Sequence, residues 1–429
     1  MGLFFLCLEL FLYGFAIYAF ANKKDLALIY LPVLLFTHII INAVVPASVF
    51  YATISLIILR VLVRHGHFYR YNIFAVLIAF YYLFLIPGSS DLELIRPFLF
   101  SVFWFFLSLP LINTIYQKYE REVIFKELTQ AAFLILGLFI VNVLVSTAFK
   151  YSPQAMYGIT SGLLYGNIYA ADFNILPVAV FILTLGLMQK KNALYFLVLV
   201  VAFAFIMLTL RRSVMGQSIA GVVFAFIVSM AQQNIKKVFF VGLLTVFVGF
   251  VIYANTEFMS VFQERYELRN LEDRALEEEA RFLEYDLIYK DMFIYRDYSP
   301  WFGYELFNSW GNYGRGILGE RSLHSDITNI IHSSGLLGLL LYFLMVATAF
   351  LQSFRKAATR RDKIIVLFCG MTFGVFTTTG RYTETGYMLL LFLLLLLPLA
   401  KEAPVRADPD LAEKAEPEPN LFPSMKMQV

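Results

Sequence analysis

Along the first 253 residues, apolar stretches follow one another with only short polar breaks. Each approaches the length a helix needs to cross a hydrocarbon core, about 20 residues. The pattern predicts spans at 2–20, 26–44, 47–63, 72–87, 97–116, 129–149, 173–189, 193–210, 214–230 and 238–253. The run then stops, and a polar island occupies 254–327. Three further apolar stretches, at 328–352, 364–379 and 387–400, close the helical part. The expected fold is an all-α polytopic membrane protein with about 12–13 transmembrane helices and one large external loop that itself contains helices. Residues 1–253 would hold about ten spans, 254–327 the loop, 328–400 the C-terminal spans and 401–429 a tail.

The breaks between spans set an orientation. Lys23-Lys24, Arg64 with Arg70, Lys118 with Arg121, Lys190-Lys191, Lys236-Lys237 and the block Arg355, Lys356, Arg360, Arg361 and Lys363 all fall on one side. Short cytoplasmic loops concentrate Lys and Arg, so this side is read as cytoplasmic and the island as external. Arg211-Arg212 and the turn Gly380-Arg381 then also lie outside. The first stretch has no Lys or Arg ahead of it and no small-residue cleavage site, and is expected to be retained. The tail, rich in Pro, Glu and Ala, cannot bury enough apolar surface to order itself and is expected to be disordered on the cytoplasmic side.

Composition agrees. The chain is 60% hydrophobic and 15% charged, against about 25% charge in soluble domains. A net charge of +3 gives no footprint for nucleic acid. Cys7 and Cys369 both fall in apolar stretches, which speaks against a disulfide between them and against a metal cluster. No phosphate-binding loop or dinucleotide fingerprint is present, which argues against an ATP-driven pump.

Candidate chemistry gathers on the external side. Arg211 and Arg212 join two spans with almost no loop between them. They are either snorkelling side chains at a helix end or a phosphate clamp, since guanidinium forks pair with phosphate oxygens. Residues 264–297 carry eleven acids and six bases and read as one or two charged helices. Pairs such as Glu277–Arg281 suit a solvated face, while Leu283, Leu287 and Ile288 mark a face lying on the membrane domain. Arg281 stands beside that face. The stretch from Trp301 to Gly314 is rich in Gly and aromatics; Trp301, Tyr304, Glu305 and Trp310 suit either sugar rings or interfacial anchoring. His324, beside Ser325 and Asp326 at the mouth of the next span, is placed to act as a general base near neutral pH. His332 is read as interior, His38 as a packed polar contact, and His65 and His67 as incidental. Arg381 either pairs with Glu384 or joins the phosphate cluster.

Together these segments resemble the O-antigen ligase and O-antigen polymerase family of bacterial envelope glycosyltransferases. The resemblance rests on His324 with Gly335 and Gly338, on Thr209–Gly216 around the arginine pair, on Gly162–Asn167 with Ala170, and on Arg281 with Gly303. It covers roughly 160–350. Ser325 and Ser333 depart from the family's usual Asn and acidic residue. The resemblance implies a glycosyltransferase of the bacterial inner membrane that uses no metal or other cofactor. It would transfer a glycan from undecaprenyl diphosphate to an acceptor hydroxyl on the periplasmic face, with inversion. Arg211, Arg212 and Arg281, with Arg381 in reserve, would hold the diphosphate, and His324 would take the acceptor proton. Partners would be the lipid-linked glycan, an acceptor glycolipid, membrane lipids and a chain-length regulator, with no nucleic acid. Polymerisation of repeat units is the favoured expectation and ligation to lipid A–core the alternative. A polysaccharide transporter is the rival of another class; the lack of a visible repeat and the one-sided polar residues argue against it.

Overall fold

A computed structural model describes residues 2–151, 165–168, 171–190, 192–209, 211–230, 280–379 and 382–402. The elements are helical: α1 Gly2–Tyr18, α2 Leu31–Ile40, α3 Ala47–Arg64, α4 Ile73–Leu85, α5 Leu92–Tyr116, α6 Arg121–Ala148, α7 Ile175–Gln189, α8 Ala193–Leu208 and α9 Arg212–Met230. After these come α10 Ala280–Tyr289, α11 Asp326–Lys356, α12 Arg360–Thr379 and α13 Thr385–Leu395. Among the described residues there are isolated bridges but no strands, and six helices are long and apolar enough to cross a membrane, with four shorter apolar ones beside them. The protein is an all-α polytopic membrane protein. The predicted span 238–253, Lys236-Lys237, Glu277, Arg381 and nearly all of the tail lie outside the described residues.

Observed helices run longer than the apolar stretches where polar residues cap them. Asp91 accepts the N–H groups of Glu93 and Leu94, so α5 starts five residues before the predicted span, as a capping carboxylate allows. Pro97 and Pro110 sit inside α5; in a span, neighbouring helices tolerate the lost backbone bond. The most enclosed helices are α7, whose residues 175–186 are all buried, and α13, buried along its length. An apolar helix buried on every face is the centre of a bundle rather than its lipid-facing wall.

Ion pairs sort the two ends of this bundle. At one end Lys23 pairs with Glu127 (2.7 Å), Arg64 with Asp25 (3.4 Å) and Arg121 with Asp362 (3.2 Å). His65 belongs here and is not incidental: its side chain is 2% exposed, with Nε2 3.0 Å from Asp25 and Nδ1 3.0 Å from Lys118 Nζ. Among the described residues, this basic end brings together Lys23, Arg64, Lys118 and Arg121 from the breaks that the sequence put on one side, with Asp362 of the Arg360–Lys363 block. The opposite end carries α10 and the loop of 299–325, and is called the loop end below.

Candidate active site

Three elements build the start of α11. Leu287 and Ile288 of α10 are buried and pack with Met292, Tyr313 and Leu323 in a small core of their own. Glu284 precedes them by three and four residues and therefore shares their stripe. It is fully buried. Its Oε2 accepts the backbone N–H groups of His324 (3.0 Å) and Ser325 (3.4 Å) and the Thr328 hydroxyl (3.3 Å). Its Oε1 accepts from Arg321 Nη2 (2.9 Å). The first N–H groups of a helix have no intrahelical carbonyl, and a carboxylate satisfies them in charge and geometry. Burial alone would raise this carboxyl's pKa. His324, through its ring when that is protonated and through its backbone N–H, together with the charge of Arg321, outweighs burial and holds Glu284 below the usual carboxylate range.

His324 is therefore fixed through its backbone while its ring, 41% exposed, faces outward. Nδ1 lies 3.1 Å from Arg321 Nε and 3.5 Å from Glu284 Oε1. A guanidinium can only donate, so the closer contact makes Nδ1 an acceptor and leaves the neutral ring's proton on Nε2. The other tautomer, with Nδ1–H turned to Glu284, is the one that frees Nε2 to take a proton. Ser325 shares a 2.7 Å hydrogen bond with the Tyr285 hydroxyl and donates to the Thr377 carbonyl (3.3 Å) at the end of α12. Asp326 accepts the Tyr382 N–H (2.6 Å). The histidine segment thus ties α10, α12 and the turn before α13 together.

The aromatic loop docks on α11 at Gly335, where the helix breaks with φ 67° and ψ −172°. A Cβ there would stand 2.2 Å from the carbonyl of Trp301, and one at Gly303 (φ +78°) would stand 2.5 Å from the His332 carbonyl oxygen. Both conformations favour glycine, and the two backbones meet with no side chain between them. Tyr304 N–H donates to the His332 carbonyl (2.7 Å), Leu336 N–H to that of Pro300 (2.8 Å), and the Tyr81 hydroxyl to that of Ser334 (2.7 Å). His332 is interior, as expected, and its Nε2 is 2.9 Å from the Asn312 carbonyl.

This docking separates the candidate glycan residues. Trp310 is exposed and stands beside the histidine segment, because Gly311 N–H reaches the Arg321 carbonyl (3.5 Å) and Leu323 N–H reaches Ser309 Oγ (3.3 Å). Trp301 is exposed as well, but its neighbour Phe302 lies 6.4 Å from Phe84, an outward-facing residue at the end of α4. Tyr304 packs its ring against Tyr298 and His332. Glu305 is spent on the Ser90 amide and hydroxyl and on Asn308 Nδ2 (2.9 Å), which makes it a tie between the loop and the α4–α5 connection.

Of the arginines, Arg211 lays its guanidinium over the Phe173 ring at 4.4 Å, and Arg212 is exposed at the first position of α9. Both are at the loop end. Arg281 stands in the first turn of α10, three residues before Glu284; its side chain, like Arg381, lies outside the described set. Glu284 and Arg321 were not singled out from the sequence. An acid on the apolar stripe of α10 was the available signal for the first; Arg321 carried none beyond its distance of three residues from His324.

Residues 197–343 match a family model described as O-antigen ligase. This part of the chain is similar to the O-antigen ligase family. The match covers about a third of the chain and takes in α8, α9, α10, the docked loop and the first half of α11. These are the elements that carry Arg211, Arg212, Arg281 and His324. The match supports a role for this multi-pass membrane protein in glycosyl transfer during surface-polysaccharide assembly. No curated protein matches the chain.

Proposed function

We propose that the protein transfers a glycan from undecaprenyl diphosphate to an acceptor hydroxyl at the loop end of the bundle, which faces the periplasm of a bacterial inner membrane. The observation that carries this reading is the exposed His324 ring held by a buried carboxylate and an arginine at a helix start. The acceptor oxygen attacks the anomeric carbon from behind, the bond from that carbon to the diphosphate oxygen breaks, and the acceptor proton goes to His324 Nε2. The diphosphate is already a good leaving group, so the protein need only align the partners, offset charge and take one proton. Arg211, Arg212 and Arg281 are assigned to the diphosphate, with Arg381 in reserve. Trp310, Trp301 and Tyr304 are assigned to the glycan, and Glu305 to positioning their loop.

His324 becomes a base only when Arg321 leaves Nδ1 and that nitrogen donates to Glu284. An arriving diphosphate, as a stronger anion for Arg321, provides the reason for that exchange. Donor binding and activation of the base are then one event.

The acceptor is another lipid-linked repeat unit, as the sequence suggested, or lipid A–core, which the description of the matched family favours. Deleting the gene in the native host and resolving surface glycans on a gel separates the two. Loss of the long ladder with single repeats retained on lipid A–core means polymerisation. Loss of all glycan from lipid A, with long chains accumulating on the carrier, means ligation. An unchanged profile would remove the whole reading.

A further inference from the structure

Arg60 stands inside a span and outside the ion pairs of the basic end. It lies on α3, one of the helices long and apolar enough to cross a membrane, four residues before that helix closes at Arg64. That places it about 6 Å inside the helix end. Its neighbours on the helix surface, Leu56, Leu59 and Val63, are exposed and face lipid. The nearby carboxylates are occupied. Asp25 is held by Arg64 (3.4 Å) and His65 (3.0 Å), and Glu127 by Lys23 (2.7 Å).

The Arg60 guanidinium is nevertheless fixed in place. It lies 4.4 Å from the centroid of the Phe20 ring, across the gap between α3 and the end of α1. A snorkelling arginine runs along its own helix toward water; this one reaches sideways to an exposed ring on another segment. Contact with a ring face spends none of the five N–H donors. Among the described residues, none of them meets an acceptor. At the same corner the turn Ala19–Lys23 gives way to the turn Lys24–Tyr30, which packs on α3. Lys24 opens that turn, exposed and with φ 52°, a backbone conformation few side chains adopt.

We infer that this corner binds the headgroup of an anionic phospholipid in the leaflet at the basic end, with Arg60 on the phosphodiester. A guanidinium flanked by lipid-facing side chains takes a counter-charge from its surroundings, because an unpaired charge in the apolar layer is costly. A phosphate supplies that charge, and the guanidinium fork meets two of its oxygens at once. Three positive groups, Lys24, Arg60 and Arg64, stand against one carboxylate, Asp25. That excess selects a headgroup with net negative charge over a zwitterionic one. Exposed Ile17 of α1 and Leu56, Leu59 and Val63 of α3 give its acyl chains an apolar wall. The site is at the opposite end of the bundle from His324 and does not depend on the glycosyl-transfer reading.

Native mass spectrometry of the full chain in detergent tests this. Phosphatidylglycerol is titrated, with phosphatidylethanolamine as the zwitterionic lipid and inorganic phosphate as an anion without acyl chains. Wild type should bind a first phosphatidylglycerol about tenfold more tightly than phosphatidylethanolamine, the effect of one charge-assisted hydrogen bond. Arg60→Gln should erase that preference. Phe20→Leu keeps the charge and an apolar side chain but removes the ring, and should reduce the preference about threefold. Arg355→Gln, which removes one positive charge from an exposed position on α11, should leave it intact. An unchanged preference in Arg60→Gln, or an equal loss in Arg355→Gln, would overturn the inference. So would a wild type that does not distinguish the two lipids, or a saturable phosphate adduct that disappears in Arg60→Gln. If Arg60→Gln does not fold, Phe20→Leu decides, and an unchanged preference there overturns it.

Discussion

Replacing Glu284 is the sharpest perturbation of the account. Its carboxylate accepts from the Arg321 guanidinium, the His324 and Ser325 amides and the Thr328 hydroxyl, at 2.9–3.4 Å. Glu284→Ala leaves all four donors without that acceptor, with Ser325 and Thr328 buried and Arg321 and His324 partly exposed. Breaking a fully buried charge pair by removing one partner costs about 3–5 kcal/mol. Glu284 is fully buried, but the Arg321 side chain left behind is 28% exposed. Water therefore offsets part of the loss, and the low end, about 3 kcal/mol, applies. Glu284→Gln keeps one carbonyl oxygen and removes the charge, at about 1.5–3 kcal/mol for a charge-assisted bond. The cost falls on the docking of α10 against the start of α11, because the rest of the bundle has its own core. Hydrogen exchange measured on the protein in nanodiscs should therefore show local loosening. At 1.4 kcal/mol per tenfold, the amides of His324 and Ser325 should exchange roughly a hundred times faster in Glu284→Ala, with α7 unchanged. Glu284→Gln should fall between this variant and wild type. Wild-type exchange at His324 in Glu284→Ala would refute the capping role, and with it the reason that His324 points outward.

Further outcomes follow from the same geometry. Gly335→Ala should release the aromatic loop, seen as a lower melting temperature and faster proteolysis near Pro300, because a Cβ would meet the Trp301 carbonyl at 2.2 Å; equal melting would contradict the backbone contact. The Glu284 carboxyl is held low, so its stabilising effect is present above the ordinary carboxylate range and is lost as pH falls through the lowered value. Glu284→Gln should remove that acid-side loss in a pH series of melting curves. Asp291 has the opposite sign: burial raises its pKa, so its folded form prefers the proton and its contribution falls as pH rises. Asp291→Asn, which can still accept from Gly314 N–H as Asp291 Oδ2 does at 2.7 Å, should raise the melting temperature at pH 7; a fall would contradict the burial argument. Arg212→Ala, at an exposed position, should abolish transfer with a smaller fall in melting temperature than Arg211→Ala, which also loses its packing on Phe173.

Most of the fold was legible because lipid imposes a single rule: each span needs a long apolar stretch, and the stretches could be counted. Their ends were less legible, since Asp91 extends α5 through a capping bond that hydropathy does not register. The site was legible where a backbone requirement leaves its own residue, as at Gly303 and Gly335, which face each other across 32 positions. Glu284 was hidden by the many acids around it, although its spacing of three and four from Leu287 and Ile288 marks it as inward-facing. His65 was hidden for another reason. Its partners Asp25 and Lys118 are 40 and 53 residues away, and only the packing of α3 and α5 with the segment before α2 brings them together.

The most direct test of the central claim is transfer by the purified protein in nanodiscs. An undecaprenyl-diphosphate glycan and the acceptor from the native host are supplied, and both glycosylated acceptor and released undecaprenyl diphosphate are measured. The account predicts transfer by wild type that persists with a chelator present, and loss of turnover in His324→Ala with donor binding retained. Equal turnover in His324→Ala, or a requirement for added metal, would contradict it.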